Sequence, residues 1–215
     1  MGSIPTVRTT TMKELAVEHL HVWRGDTHLL RNLSFSVRSG QCLQVTGRNG
    51  AGKTTLLRAL CGLTPLESGS VRWCGTDTQR ERGVLHRELA YLGHDPALKG
   101  ELSARENLYF AANLRRQVSM GAIDAALEQV ELTARGRPVR QLSAGQRRRV
   151  ALAGLLLLEC ALWVLDEPTS NLDVRGQQLV GELLGAHLQG GGLVLIATHQ
   201  ALELDPARLM SLELT

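Results

Sequence analysis

The chain has 215 residues, of which 43% are hydrophobic and 21% charged, so it can bury a core of its own without disulfides or a structural metal. Its 24 Lys and Arg against 21 Asp and Glu leave a net charge of only +3, and aromatics make up 3%. That balance supplies neither the basic footprint nor the stacking platforms that nucleic-acid binding needs, so no nucleic-acid partner is expected.

The chain opens on twelve polar residues, MGSIPTVRTTTM, which read as a disordered extension ahead of a domain over 13–215, with Met12 as an alternative start. Leu15, Val17 and His19, and then Leu33, Phe35 and Val37, recur at the period of two that marks half-buried strands. Gln41 to Thr46 reads as a short apolar strand, Gly47 to Gly52 as a glycine-rich turn, and Lys53 to Leu60 as a helix ending at Gly62 before Pro65. Further strands are expected at Ser70 to Trp73 and at Leu89 to Leu92, the second just before a turn at Asp95-Pro96.

The middle of the chain changes character. Ser103 to Glu106 form a capping box that opens a helix carrying Leu108, Ala111 and Ala112. Ile123, Leu127 and Val130 repeat at i, i+4 and i+7 on a second helix, which Arg135 to Pro138 interrupts. Residues from about 97 to 142 are therefore expected to form an inserted helical subdomain. The longest apolar run, Val150 to Leu165, contains Glu159 and lies between Arg147-Arg148-Arg149 and Asp166-Glu167. A spanning helix needs about 20 clean residues. The run reads instead as a helix followed by a buried strand. Another strand is expected at Leu193 to Ala197, after Gly190-Gly191-Gly192. Strands alternating with helices imply a mostly parallel sheet covered by helices, an α/β fold. Cys42, Cys61, Cys74 and Cys160 form no C-x-x-C pair and suit buried thiols in a reducing compartment.

Gly47-Arg48-Asn49-Gly50-Ala51-Gly52-Lys53-Thr54 fits the phosphate-loop pattern G-x-x-x-x-G-K-[ST], with a strand before it and a helix after it. Phosphates need backbone N–H groups at close approach, hence glycines, at a helix N-terminus whose dipole favours anions. In that pattern Lys53 would reach the terminal phosphates, the Thr54 hydroxyl would ligate Mg²⁺, and Thr55 would follow in the first helical turn. Ala161 to Asp166-Glu167 is an apolar strand delivering two carboxylates at its carboxyl end. There Asp166 would hold Mg²⁺ and Glu167 would activate the attacking water. These elements predict a phosphate-loop NTPase, a class that still includes kinases, GTPases and helicases. Leu142-Ser143-Ala144-Gly145-Gln146 narrows it. Ser143 is a good helix N-cap, and a Ser hydroxyl with glycine amides at a helix start also offers a second phosphate-binding end.

At these residues the chain resembles the ATP-binding-cassette family over about 13–215. LSAGQ is similar to that family's LSGGQ signature and stands about twenty residues before Asp166-Glu167. Asn171-Leu172-Asp173 looks like the family's D-loop, and His199 like its switch histidine. The resemblance implies a phosphate-loop core with a mostly parallel sheet, an antiparallel N-terminal β portion and the inserted helical subdomain. It also implies head-to-tail dimers, in which Ser143, Ala144, Gly145 and Gln146 complete the ATP site of the other copy. ATP with Mg²⁺ would be the cofactor pair, and membrane permease subunits the partners.

Three positions depart from the family pattern. His94 stands where the family usually has a Q-loop Gln. It could bond to water at the site or be a plain turn histidine. The adenine-stacking aromatic should fall near Arg24, which leaves Trp23, the Arg24 plane or a weak adenine contact. Ala144 replaces a signature glycine, which a helix start tolerates. His94, QLSAGQ-x-RRVALA, the W-V-LDEP strand and THQ together resemble the haem-exporter ATPases of bacterial cytochrome c maturation. That resemblance implies an ATPase at the cytoplasmic face of the inner membrane, held there by partner subunits and driving haem export or haem-chaperone release. Another small-substrate ABC exporter is the alternative. The scattered histidines and unpaired cysteines show no haem-ligand pattern of their own. DNA-repair or translation cassettes carry tandem domains or long coiled-coil insertions, for which 215 residues leave no room.

Overall fold

The computed structural model describes residues 12–215, so the extension expected over 1–12 lies outside the described residues apart from Met12. β1 (Glu14–Arg24) and β2 (Thr27–Arg38) form an antiparallel hairpin that pairs Leu15 with Val37 and Val17 with Phe35. β3 (Cys42–Gly47) leads through the glycine loop into α1 (Lys53–Leu60). β4 (Ser68–Trp73) then returns to pair antiparallel with β1, and β5 (Thr76–Asp77) covers its edge. α2 (Arg82–Glu88) precedes β6 (Leu89–Leu92), and three helices follow: α3 (Ala104–Asn113), α4 (Met120–Gln129) and α5 (Ala144–Leu158). β7 (Leu162–Asp166), α6 (Val174–Gln189), β8 (Leu193–Ala197) and β9 (Leu209–Leu214) complete the order.

The antiparallel sheet has the order β2-β1-β4-β5 and the second sheet the order β6-β7-β8-β3-β9, with every pair in the second parallel. The α/β architecture expected from the sequence, with its antiparallel N-terminal portion, is therefore the one observed. The parallel sheet is covered on both faces, which is why LWVLD and LVLIA read as unbroken apolar runs. Leu162, Val164, Leu193 and Leu195 pack on one side with α1 and the antiparallel sheet. Trp163, Leu165, Val194 and Ile196 pack on the other with α5 and α6. Fully burying one such side chain stabilises by about 2 kcal/mol, so these two layers carry most of the fold.

α3 and α4 start at side-chain caps. Ser103 accepts from Glu106 N and Glu106 accepts from Ser103 N, closing the predicted box at α3. Ser119 caps α4 by accepting from Ala122 N. Leu108, Ile123 and Leu127 join the cluster of α5, so α3 and α4 pack on the helix that follows them. β5, α2, α6 and β9 are additional to the elements predicted from the sequence. One expectation needs correction: Cys42, Cys61 and Cys160 are buried, but Cys74 is exposed, in the turn between β4 and β5 at φ 50°. Burial pushes the Cys42 and Cys61 thiols up to about 12.

Candidate nucleotide site

The loop between β3 and α1 rests on left-handed backbone at Gly47 (φ 137°), Gly50 (φ 86°) and Gly52 (φ 102°), values that L side chains rarely adopt. Gly52 is the N-cap of α1 and brings no side-chain cap, which leaves the first-turn N–H groups available to an anion at the positive end of the helix dipole. Lys53 is buried, and its ammonium donates to Gly47 O (2.8 Å) and Arg48 O (3.1 Å), which lays the charge along the loop.

A cavity of about 320 Å³ opens at this loop. Asn49, Gly50, Gly52, Lys53, Thr54 and Thr55 line it from the loop and α1. Arg24, His94, Asp166 with Glu167, and His199 line it from the ends of β1, β6, β7 and β8. Because β3, β6, β7 and β8 are parallel, their carboxyl ends gather at one edge, where ligands of open α/β sheets bind. Gly47, Arg48 and Ala51 shape the loop without lining the cavity.

Asp166 is 2% exposed, and its Oδ2 has no hydrogen-bond partner among the described residues. Glu167 stands at φ 47°, a conformation that costs a non-glycine residue about 1–3 kcal/mol and collects at functional sites. Its N–H donates to Ala197 O at 2.8 Å, and its carboxylate lies 3.6 Å from His199 Nε2. The loop, both carboxylates, His94 and His199 thus line one cavity.

The signature residues lie elsewhere. Ser143 caps α5 in a second capping box, accepting from Gln146 N (3.1 Å), while Gln146 Oε1 accepts from Ser143 N (3.0 Å). A Cβ on Gly145 would stand 2.7 Å from Asn171 O, so the close approach of the 171–173 loop demands glycine there. Asp173 caps α6, and its carboxyl is held below the usual range, chiefly by the Gly176 N–H and then by Arg149. None of Ser143, Ala144, Gly145, Gln146 or Asp173 lines the cavity. Trp23 is also absent from it: its ring stacks on His28 at 4.7 Å, and Arg24 takes the lining position.

Sequence reasoning missed Arg148, the one arginine of its triplet that is buried, which bonds to the segments carrying His94, Asp166 and Glu167. Its signal was available: Arg148, Leu152 and Leu155 recur at i, i+4 and i+7, so the charge falls on the buried face of α5.

A glycine loop on a parallel sheet, an Asp-Glu pair two strands away and a capped signature helix define the ATP-binding domain of an ABC-type ATPase. The ABC transporter family profile matches residues 30–170, and the chain belongs to that family. Among its relatives, the cytochrome c biogenesis ATP-binding export protein CcmA of Methylococcus capsulatus is 49% identical over 191 residues, covering 88% of this chain and 92% of that protein. The protein of the same name from Salmonella typhi is 46% identical over 193 residues, 87% of this chain and 90% of the relative. A solved ABC transporter ATP-binding protein from Pyrococcus furiosus matches with a TM-score of 0.82 at 25% identity, over 94% of this chain and 97% of that one.

Proposed function

We propose that the chain hydrolyses MgATP as one half of a head-to-tail pair and drives a membrane export complex of cytochrome c biogenesis whose cargo is haem. One observation carries this reading. Lys53, Asp166, Glu167 and His199 share a cavity, while Ser143 and Ala144 stand exposed on a helix end outside it. A complete site then needs the α5 end of a second copy, with Gly145, Gln146 and Asp173 beside it.

The residues present fit Mg²⁺. Thr54 and Asp166 offer oxygen donors within one cavity, and the buried, unpartnered Oδ2 of Asp166 is a costly group that a cation relieves. When bound, the ion neutralises charge on the β- and γ-phosphates. Lys53 and the loop amides hold those phosphates, Glu167 takes the proton of the attacking water, and His199 contacts the γ-phosphate. His94 bonds to water at the cavity wall. Because Arg24 lines the cavity and Trp23 does not, the adenine rests on the guanidinium plane. Residues 13–215 form one nucleotide-binding domain, with the helical portion near 97–142 as its inserted subdomain.

An apolar groove of about 360 Å³ runs from the loop beside His94 to α3 and α5, past Leu98, Leu108, Val150 and Leu158. Beside it α3 exposes Tyr109 and Phe110, with Leu114 just beyond, a patch of the kind that marks interaction sites. There a membrane subunit meets the chain and holds it at the cytoplasmic face of the bacterial inner membrane. Among the described residues, no helix is long and apolar enough to cross a membrane.

Deleting the gene and staining for covalent haem tests the cargo. The expected result is loss of haem-bearing c-type cytochromes, restored by the wild-type gene and not by Glu167→Gln. Normal cytochromes c in the deletion strain overturn the haem assignment in favour of another small-substrate exporter.

A further inference from the structure

Arg148 sits where three segments of the proposed site converge. Only 2% of it is exposed, and its hydrogen-bond partners among the described residues include no carboxylate. Its Nη1 donates to Gly93 O (2.8 Å) and His94 O (3.2 Å), and its Nε to Pro168 O (3.2 Å). Its Nη2 donates to Asp166 O (2.8 Å), Glu167 O and Ser170 Oγ (3.3 Å). Five of the six acceptors are main-chain carbonyls. An ion pair would fix one side chain, whereas these bonds fix the path of the backbone itself.

A buried cation is unfavourable unless its donors are satisfied, and here the donors of the planar fork are spent on two loops distant in sequence. Packing alone does not ask for this, because Leu152 and Leu155 already seat the same face of α5 in the core. Among the residues that Arg148 bonds to, Glu167 is the non-glycine one in the left-handed region, at φ 47°. Arg148 does not line the nucleotide cavity, so it can act only through the groups it holds.

We propose that Arg148 is a positioning residue for ATP hydrolysis, locking the Asp166–Glu167 turn and the His94 loop into one geometry and tying both to the signature helix. This rests on Glu167 as the general base. The lock places the Glu167 carboxylate and the His94 side chain relative to the same attacking water, and Arg148 leaves the phosphate-binding loop untouched.

The test uses the full chain, measuring MgATP affinity, kcat and thermal unfolding for Arg148→Met, Arg148→Lys and a core control, Leu152→Ala. Misplacing a reacting group by about 1 Å costs on the order of 100-fold in rate, so Arg148→Met should lose about that in kcat while its MgATP dissociation constant stays within about threefold. Lysine restores a charge but not the fork, and Arg148→Lys should lose about tenfold. Leu152→Ala should lower the unfolding temperature with kcat within about twofold of wild type. A folded Arg148→Met with near-wild-type kcat overturns the proposal. So does a loss of affinity and rate in step with stability, the behaviour of a purely structural residue. If Arg148→Met does not fold, Arg148→Lys decides the matter, and failure of both to fold makes Arg148 a folding residue and ends the proposal. Full turnover by Glu167→Gln would instead remove the general-base reading, an outcome the Arg148 series cannot mimic.

Discussion

Single residues divide into those whose chemistry is declared by spacing and those declared only by neighbours. Lys53 is of the first kind. It follows three glycines in a fixed pattern at the start of a helix, and the structure lays its ammonium along the loop. Lys53→Ala should therefore abolish detectable ATP binding and lower turnover by about 100-fold or more, read with a fluorescent nucleotide and by phosphate release. Turnover at the wild-type rate would refute the assignment of the loop. Arg148 is of the second kind. Its acceptors come from 93–94 and 166–170, and no linear pattern joins those stretches to a helix starting at Ala144. Cys74 was misjudged for a related reason: composition placed all the thiols inside, and the exposed turn after β4 put this one outside.

Among elements, the legible ones carry a cap, a glycine turn or an unbroken apolar run. β3, α1, α3, α5, β7 and β8 all do. α2 begins at Glu81 without a side-chain cap and buries only Leu85, so neither capping nor periodicity announces it. β9 is a half-exposed edge strand whose place beside β3 comes from long-range pairing. α6 starts at Asp173, a residue that doubles as helix cap and D-loop motif. α6 also carries His187, whose ring stacks on Trp163 at 4.0 Å and lies within 3.2 Å of Ala161 O and 3.3 Å of Leu193 O. Burial pushes its pKa below the usual 6.5, although the two carbonyls oppose the shift. At this residue the unfolded chain then binds more protons than the folded one as pH falls below about 6.5, so its contribution to stability is flat above pH 7 and drops on acidification. Thermal unfolding at pH 7.5 and at 5.5 should show that drop, at about 2–4 °C per kcal/mol lost. His187→Phe should flatten the dependence, and an unchanged slope in that variant would place its origin in another group.

For the whole molecule, the proposed pairing makes one copy the holder of only part of a nucleotide site. If closure of two copies traps ATP and hydrolysis at Glu167 releases it, Glu167→Gln at saturating MgATP should elute as a stable dimer on size exclusion, while the apo protein elutes as a monomer. A monomer under both conditions would sink the paired mechanism. Within each copy, Arg148 bonds the signature helix to the Asp166–Glu167 turn that lines the copy's own cavity. A Cβ on Gly145 would stand 2.7 Å from Asn171 O, and Arg149 ties the same helix to Asp173. A shift of that helix would therefore be felt at the turn. The two halves of a pair would then have to evolve, and respond, as a single joint: any change that retunes what a copy lends also retunes what it keeps.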